Sequence, residues 1–359
     1  MNSIFLDCDL MRFPNSGLYH YCLNLGEEVN KLLANDKDMS ITAYVPANEK
    51  STFNTRVIVE KKWHKFWKPF LKRNSIWHTP FQSGRMIISA NKHPNIKKVL
   101  TIHDLNTIHE GKPAEEQQKN LQHTQTLIDE NDAIICISEF TKNDVLRHCN
   151  IRNKPLYVIH NGCNPLLLPT RKPTSINIEK AFFFGLGYVN AKKNYKVLIP
   201  LLKYYPDVAL VISGKLDDLE YVKKMRAYAQ ELGVAERLHI TGPITEEEKG
   251  WYMSNCLAFF QPSLAEGFGF PVIEAMSVGK PVFISDRTSL PEVGGDAAFY
   301  LSSFEPDAIR CIFEEGMEAF RNGNIREHVI KQSKRFNWET SATQYLQVYK
   351  SLITQRFSV

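Results

Sequence analysis

Two glutamates, Glu266 and Glu274, stand eight residues apart in the stretch SLAEGFGFPVIEAM (263–276). Carboxylates accept hydrogen bonds well from the hydroxyls of sugars and ribose. Between them lie Gly267 and Gly269, which let a backbone approach a ligand closely, and Pro271, which suits the first turn of a helix because its missing N–H costs nothing there. The spacing puts Glu266 in a loop and Glu274 about one helical turn into the helix that follows. The free amides of that first turn favour an anion, diphosphate among them.

The elements needed to hold such a loop are legible along the chain. Short apolar runs at 3–8, 41–45, 98–103, 133–138 and 156–160, and again at 181–185, 208–213, 237–241, 257–261 and 281–285, read as strands. Helical patterns over 17–34, 114–130, 193–204, 216–232 and 245–255 separate many of them. Alternating strands and helices predict an α/β fold with parallel sheets covered on both faces. At 359 residues two domains are expected. The stretch NPLLLPTRKPTSIN (164–177) holds three prolines and little periodicity, which marks a break. The expected division is 1–165, a linker at 166–178, a second domain at 179–336, and a C-terminal helix at 337–359 that packs back on the first domain and is capped by Asn337 or Thr340. In two doubly wound domains, ligands bind beyond the C-terminal strand ends, in a cleft where the domains face one another.

Composition removes several classes. Apolar residues make up 43% of the chain, too many for disorder. No apolar run reaches the length of a membrane span, and MNSIFLDCDLMRF has neither the basic region nor the apolar stretch of a signal peptide. The seven cysteines are scattered and never in C-x-x-C pairs, which fits a reduced, cytoplasmic chain without a zinc site. A net charge of +5 names no partner by itself.

The forty residues PSLAEGFGFPVIEAMSVGKPVFISDRTSLPEVGGDAAFYL (262–301) closely resemble the signature of retaining glycosyltransferases of family 4. There, Glu, seven residues and a second Glu precede A-M-x-x-G-x-P-V and L-P-E-V-x-G-D-A-A. The resemblance implies the GT-B fold, two Rossmann-like domains around a cleft. It also implies that Glu274 holds the ribose hydroxyls of a nucleotide sugar and that Glu266 contacts the donor sugar near the reacting carbon. The amides of Gly267, Phe268 and Gly269 would line sugar and diphosphate.

Other segments take roles from the same resemblance. FFFGLGYVNAKKNYKVLI (182–199) looks like the family's basic motif, in which Lys193, with Lys192 beside it, neutralises charge on the departing diphosphate. The family's usual arginine nearby is absent, since no Arg lies between 181 and 225, and lysine cannot grip phosphate as a bidentate fork. VLTIHDL (99–105) resembles the family's H-D-L motif, which would put His103 near donor sugar and acceptor and Asp104 on the acceptor side. ISEFTKNDV (137–145) and IHNG (159–162) match further landmarks, with Ser138 and Asn161 at strand ends. Gly17 would open the first helix near donor phosphate and acceptor. Gly214, Pro243 and Ile244 follow strands in loops where relatives read the nucleotide base.

The segment KKWHKFWKPFLKR (61–73) differs in kind, with six Lys/Arg and four aromatics in thirteen residues. Trp63, Phe66, Trp67 and Phe70 recur at helical spacing, and Lys61, Lys62 and Lys65 fill much of the rest. That pattern fits an interfacial helix on an anionic membrane leaflet; the alternative is an aromatic face packed on the first domain. Nothing else supports a nucleic-acid partner.

The implied chemistry is transfer of a hexose from a nucleotide sugar to a glycan or lipid-linked acceptor with retained configuration. The resemblance runs to bacterial enzymes of O-antigen and lipopolysaccharide synthesis, with GDP-mannose as the first expectation for the donor and UDP-sugars as the alternative. No cofactor or catalytic metal is expected, because neither CDL near the start nor LDDLE (216–220) reads as a metal-binding Asp-x-Asp motif. The expected location is cytoplasmic, peripheral on the inner leaflet. A GT-B epimerase or phosphorylase would need additional acid/base groups or a cofactor lysine, which the sequence lacks. A nucleotide-sugar-binding relative without catalysis is the other alternative, favoured by the missing arginine.

Overall fold

A computed structural model describes residues 2–13, 16–66, 68, 70–71, 75–82, 88, 93, 95–164, 166–167, 170–174, 178, 180–323 and 325–354, with Lys65 described in its backbone alone. The chain forms two compact units, Met1–Gly162 with Phe336–Val359, and Cys163–Arg335.

In the first unit, β1 (Asn2–Asp7), β2 (Met39–Val45), β3 (Arg56–Val59), β4 (Ser75–Thr79), β5 (Lys97–Ile102), β6 (Ala133–Cys136) and β7 (Leu156–Val158) form a sheet ordered β3-β2-β1-β4-β5-β6-β7. Every pairing is parallel. Strands covered on both faces read as near-continuous apolar runs, and Ile4, Leu6, Val99, Leu100 and Ile134 are fully buried. The helices are α1 (Gly17–Leu32), α2 (Ala114–Glu130) and α3 (Glu139–His148), joined at the other end of the sequence by α11 (Trp338–Thr354). Ser16 caps α1 by accepting from Tyr19 N at 3.2 Å. Asn337 caps α11, its side chain accepting from Thr340 N at 2.7 Å.

Packing of α11 on this unit runs through buried polar groups as well as apolar ones. Tyr345 Oη lies 2.7 Å from Tyr21 Oη on α1 and 3.2 Å from Thr101 Oγ1 on β5. Thr101 Oγ1 is 2.8 Å from His78 Nε2 on β4, and Tyr349 Oη is 2.7 Å from His78 Nδ1. Ser341 Oγ donates to the His160 carbonyl at 2.6 Å. Gly162 has room for hydrogen only, since a Cβ there would stand 2.4 Å from Trp338 N.

The second unit has β8 (Ala181–Leu186), β9 (Val208–Ser213), β10 (Leu238–Gly242), β11 (Ala258–Gln261), β12 (Val282–Ser285) and β13 (Phe299–Leu301), ordered β10-β9-β8-β11-β12-β13 and again parallel. Its helices are α4 (Leu201–Tyr204), α5 (Leu219–Glu231), α6 (Glu246–Asn255), α7 (Phe270–Ser277), α8 (Leu290–Gly294), α9 (Pro306–Asn322) and α10 (Ile325–Ser333). Phe183, Phe260, Phe283 and Phe313 form an aromatic core with ring centroids 5.0–6.0 Å apart where they meet. Strand order reverses beside β1 in the first sheet and beside β8 in the second, and such reversals open the crevice where doubly wound sheets hold ligands.

Two helical expectations are corrected. The pattern over 193–204 is broken into 3-10 turns at Ala191–Lys193 and Tyr195–Leu198 and the single turn α4. Asn194 between the two 3-10 turns is left-handed at φ 57°, which a continuous helix cannot contain. The segment at 61–73 holds a 3-10 helix at Lys62–Lys65 rather than a long amphipathic helix. Phe70 turns inward against Phe5, Tyr44 and His64, whereas Trp63 and Phe66 face solvent. Trp67 lies outside the described residues, as does the side chain of Lys65.

Candidate active site

Three neighbouring strands of the second sheet, β8, β11 and β12, end around Glu266. The carboxylate is nearly buried, at 9% exposure. Its Oε1 accepts from Lys193 Nζ at 2.5 Å, from Gln261 Nε2 at 2.6 Å and from Ser263 Oγ at 2.7 Å. Lys193 follows β8, Gln261 ends β11, and Thr288 beyond β12 accepts from Glu266 N at 2.9 Å. Ser289 Oγ donates to the Glu266 and Phe268 carbonyls at 2.9 and 3.2 Å. Among the described residues all three side-chain donors fall on Oε1, and Oε2 is the oxygen left to accept from a ligand. Burial alone would raise this carboxyl, but the charge and hydrogen bond of Lys193, with help from Ser263 and Lys192, hold it below the usual carboxylate range. Glu266 is therefore an anion that is fixed in place and already ionised at neutral pH.

Glu274 is built on the same plan. It lies within α7, 5% exposed, and its Oε1 accepts from Lys249 Nζ on α6 at 2.8 Å. Lys249 also pairs with Glu246 at 2.7 Å. Burial works against the Lys249 charge, yet the two carboxylates hold its pKa above the usual lysine value, so the ammonium stays charged. Burial pushes the Glu274 carboxyl up, and Lys249 opposes that push. α6 is placed by a capping box, Thr245 Oγ1 accepting from Glu248 N and Glu248 from Thr245 N, at 3.2 and 2.9 Å. Pro243 and Ile244, exposed and half-buried, lead directly into that cap.

Backbone geometry shapes the rest of this edge. Gly269 caps α7 at φ 112°, a conformation that side chains rarely adopt, and delivers the loop of Gly267 and Phe268 into the helix; Phe268 is buried. Gly214 after β9 has φ 134°, and a Cβ there would stand 2.0 Å from the Gly187 carbonyl oxygen. Lys192 lends its carbonyl to Leu264 N at 2.8 Å, tying the basic turn to the Glu266 loop.

In the first unit, His103 ends β5 at 6% exposure. Its Nε2 is 2.8 Å from the Pro80 carbonyl, so it must donate there, which leaves Nδ1 as the acceptor of a neutral ring. Burial lowers its pKa to about 4, and the Pro80 hydrogen bond only partly opposes that. Gln82 grips the turn, accepting from His103 N at 3.1 Å and donating to the Asp104 carbonyl at 2.7 Å. Asp104 Oδ1 caps the following turn through Asn106 N at 3.1 Å. Thr141 Oγ1 donates to the His103 carbonyl and receives from Ser138 Oγ, at 3.1 and 2.9 Å. Tyr21, on the helix that Gly17 opens, packs edge-on to His103 at 4.7 Å. Asn161 is 1% exposed, and neither polar atom of its side chain has a partner among the described residues.

The structure therefore joins Glu266 with Lys193, and Glu274 with the helix after Pro243 and Ile244. Gln261, Ser263, Thr288 and Lys249 were missed by the sequence reading. Ser263 and Thr288 carried a signal, their place inside the forty-residue signature; Lys249 sits 25 positions before its partner, a pairing no local pattern encodes. Asp7 and Asp9 do stand at Asp-x-Asp spacing, but both are buried at the end of β1. Asp9 N donates to Asp7 Oδ1 at 3.3 Å. No cluster of three metal-ligating side chains occurs among the described residues.

Comparison with known proteins agrees with this architecture. The family described as "Glycosyl transferases group 1" matches residues 169–336, and "Glycosyltransferase Family 4" matches residues 62–165. O-antigen chain mannosyltransferase B of Escherichia coli is 25% identical over 278 residues, 71% of this chain and 71% of that protein. The serotype-specific mannosyltransferase WbdA, also of Escherichia coli, is 26% identical over 59% of this chain, but the match spans 28% of its own length. Among solved structures, Anabaena HepE in complex with UDP and glucose superposes with a TM-score of 0.74 at 18% identity, over 98% of this chain and 100% of that one.

Proposed function

The chain belongs to the family 4 glycosyltransferases, and from that membership we propose that it transfers mannose from GDP-mannose to a glycan or lipid-linked acceptor of a bacterial surface polysaccharide. Transfer retains the anomeric configuration and needs no metal, and the enzyme works at the cytoplasmic face of the membrane. The observation that carries this reading is the Lys193–Glu266 pair at the strand ends where the second sheet changes direction. The mannose preference is supported by the named activities of the Escherichia coli relatives.

In the reaction, Glu274 and the loop before α6 hold the nucleoside, Glu274 through ribose hydroxyls. Glu266 Oε2 accepts a hydroxyl of the donor sugar and fixes the anomeric carbon. The bond from that carbon to the diphosphate breaks, and its electron pair leaves with the diphosphate. Lys193, Lys192 and the amides of Gly267, Phe268 and Gly269 stabilise the charge that develops, an electrostatic effect of the kind that usually dominates catalysis. The acceptor oxygen bonds to the same face of the sugar, and its proton passes to the departing phosphate. His103 and Asp104 orient the acceptor, with Asn161 and Gly17 on the same unit.

A UDP-sugar donor is the alternative, favoured by the HepE complex with UDP. Thermal unfolding with GDP, UDP and ADP and their sugar conjugates, in EDTA, separates the two, because a ligand that binds only the folded chain raises its stability by mass action. A shift selective for GDP supports mannosyl transfer, and one selective for UDP replaces it. Glu266→Ala should abolish transfer while nucleotide binding survives; undiminished turnover would remove Glu266 from its role.

A further inference from the structure

The sequence reading left residues 61–73 between two roles, a packed aromatic face and a membrane-facing one, and the structure divides the segment between them. His64 is buried at 3% exposure, with Tyr44 Oη 3.0 Å from its Nδ1. Lys61 N donates to the same nitrogen at 3.2 Å. Phe70 packs on Phe5 and Tyr44. These contacts clamp the turn to the end of the sheet. Outside the clamp, Phe66 is 88% exposed and Trp63 42% exposed, and Lys61 and Lys62 are exposed beside them.

A third exposed aromatic belongs to the same end of the unit. Phe13, 57% exposed, follows Arg12, whose Nη2 lies 2.7 Å from Glu60 Oε2, one residue before Lys61. Arg12 Nη2 also stands 3.6 Å from Asp9 Oδ2, so one guanidinium offsets both carboxylates in part. Both segments leave the C-terminal ends of parallel strands, β1 and β3, so the aromatics stand on the edge that also carries His103 at the end of β5.

We propose that Phe13, Trp63 and Phe66, with Lys61 and Lys62, form a docking surface for an anionic lipid bilayer. Exposed large aromatics gain free energy by entering the acyl–headgroup boundary, and Trp suits that boundary because its ring is apolar with one polar group. The lysines beside them match the negative surface potential of anionic lipid. A surface of exposed lysines with protruding aromatics fits this partner better than a protein groove, which needs a larger continuous apolar area. No described helix is long and apolar enough to cross a membrane; the contact proposed here is peripheral, made by the aromatics and lysines of this surface. The lipid-linked acceptor proposed above gives the surface a purpose, because the edge that takes the acceptor would face the bilayer that holds it.

The test is flotation of the full chain with vesicles of phosphatidylglycerol and phosphatidylethanolamine, compared with pure phosphatidylcholine, at 50 and 500 mM salt, without donor or acceptor. Flotation on the anionic vesicles alone, reduced by salt, is expected. Trp63→Ser/Phe66→Ser should weaken it at least tenfold. Lys61→Gln/Lys62→Gln should weaken it about fivefold per lysine, the conversion of ~1 kcal/mol per basic residue at an anionic surface. An unfolding transition of the first unit that matches the parent chain's certifies that each variant is folded. Absence of flotation, flotation that survives the aromatic replacements, or equal flotation on neutral lipid would each overturn the proposal. Because neither substrate is present, such a failure leaves the transferase reading untouched; loss of turnover with intact flotation does the reverse.

Discussion

Each of the two glutamates is anchored through one oxygen by a lysine from another element. For Glu266 that lysine is also the cation proposed to meet the diphosphate, so Lys193 has two tasks that one substitution can separate. Lys193→Ala should lower kcat/KM by roughly 10²–10³, the range for losing one preorganised charge-stabilising donor. It should also move the acid limb of the kcat/KM profile to higher pH. With Lys193 the Glu266 pKa is depressed; without it burial dominates and raises the pKa, so ionisation is lost earlier as pH falls. An unmoved acid limb would show that Lys193 does not hold Glu266 ionised. Lys249 acts through Glu274. Lys249→Met should weaken binding of the nucleoside diphosphate about 10- to 100-fold in calorimetry, and Lys249→Arg should restore part of it. If Glu274→Gln weakens binding and Lys249→Met does not, Lys249 has no positioning role. The carboxylates, Lys193 and His103 were legible because their motif is local and contiguous. Thr288 and Lys249 were not, because they meet partners 22 and 25 residues away through the packing of separate elements; Gln261, five residues before Glu266, was missed because it ends an apolar strand and lies just outside the signature.

At the scale of elements, most apolar strands were legible and the polar β4 was not. β4 carries Ser75, His78 and Thr79, all buried, and a strand that buries polar side chains against another polar network gives no apolar signal. β3 (RVIV) and β13 (FYL), each the edge strand of its sheet, were also missed, although β7 and β12, no longer, were read. The network of His78 with Thr101, Tyr345 and Tyr349 has a measurable pH signature. Burial lowers the His78 pKa to about 3, whereas in the unfolded chain it is about 6.5. As pH falls below that value the unfolded chain takes up a proton that the native chain refuses. His78 therefore costs stability on acidification, by about 2 kcal/mol at pH 5. The stability gap between His78→Asn and the parent, from urea midpoints, should shift by that amount in favour of the variant between pH 7.5 and 5. A pH-independent gap would rule out a buried neutral His78. In the second unit, Gly214→Ala meets both a forbidden φ and the Gly187 carbonyl, and should cost at least ~3 kcal/mol; a loss under ~1 kcal/mol in a melt would show that the two loops separate easily.

At the scale of the molecule, the second unit is one unbroken stretch, Cys163–Arg335, whereas the first is assembled from both ends of the sequence. A fragment of 163–335 should unfold cooperatively and show a thermal shift with the preferred nucleoside diphosphate. A chain stopped at Arg335 should lack a cooperative transition for the first unit, since His78, Thr101 and Tyr21 lose their partners on α11. Cooperative unfolding of both units in the shortened chain would contradict this. The same arrangement sets an order of events during synthesis. The first sheet emerges from the ribosome first and then waits, unfinished, while the whole second unit is made, roughly ten to thirty seconds at ordinary elongation rates. The unit begun first is therefore closed after the second is made, when Phe336–Val359 adds α11. A product of interrupted translation would carry a finished half bearing Glu266 and an open half showing its buried tyrosines and histidines to chaperones and proteases. Only a molecule translated through α11 can close its own first unit.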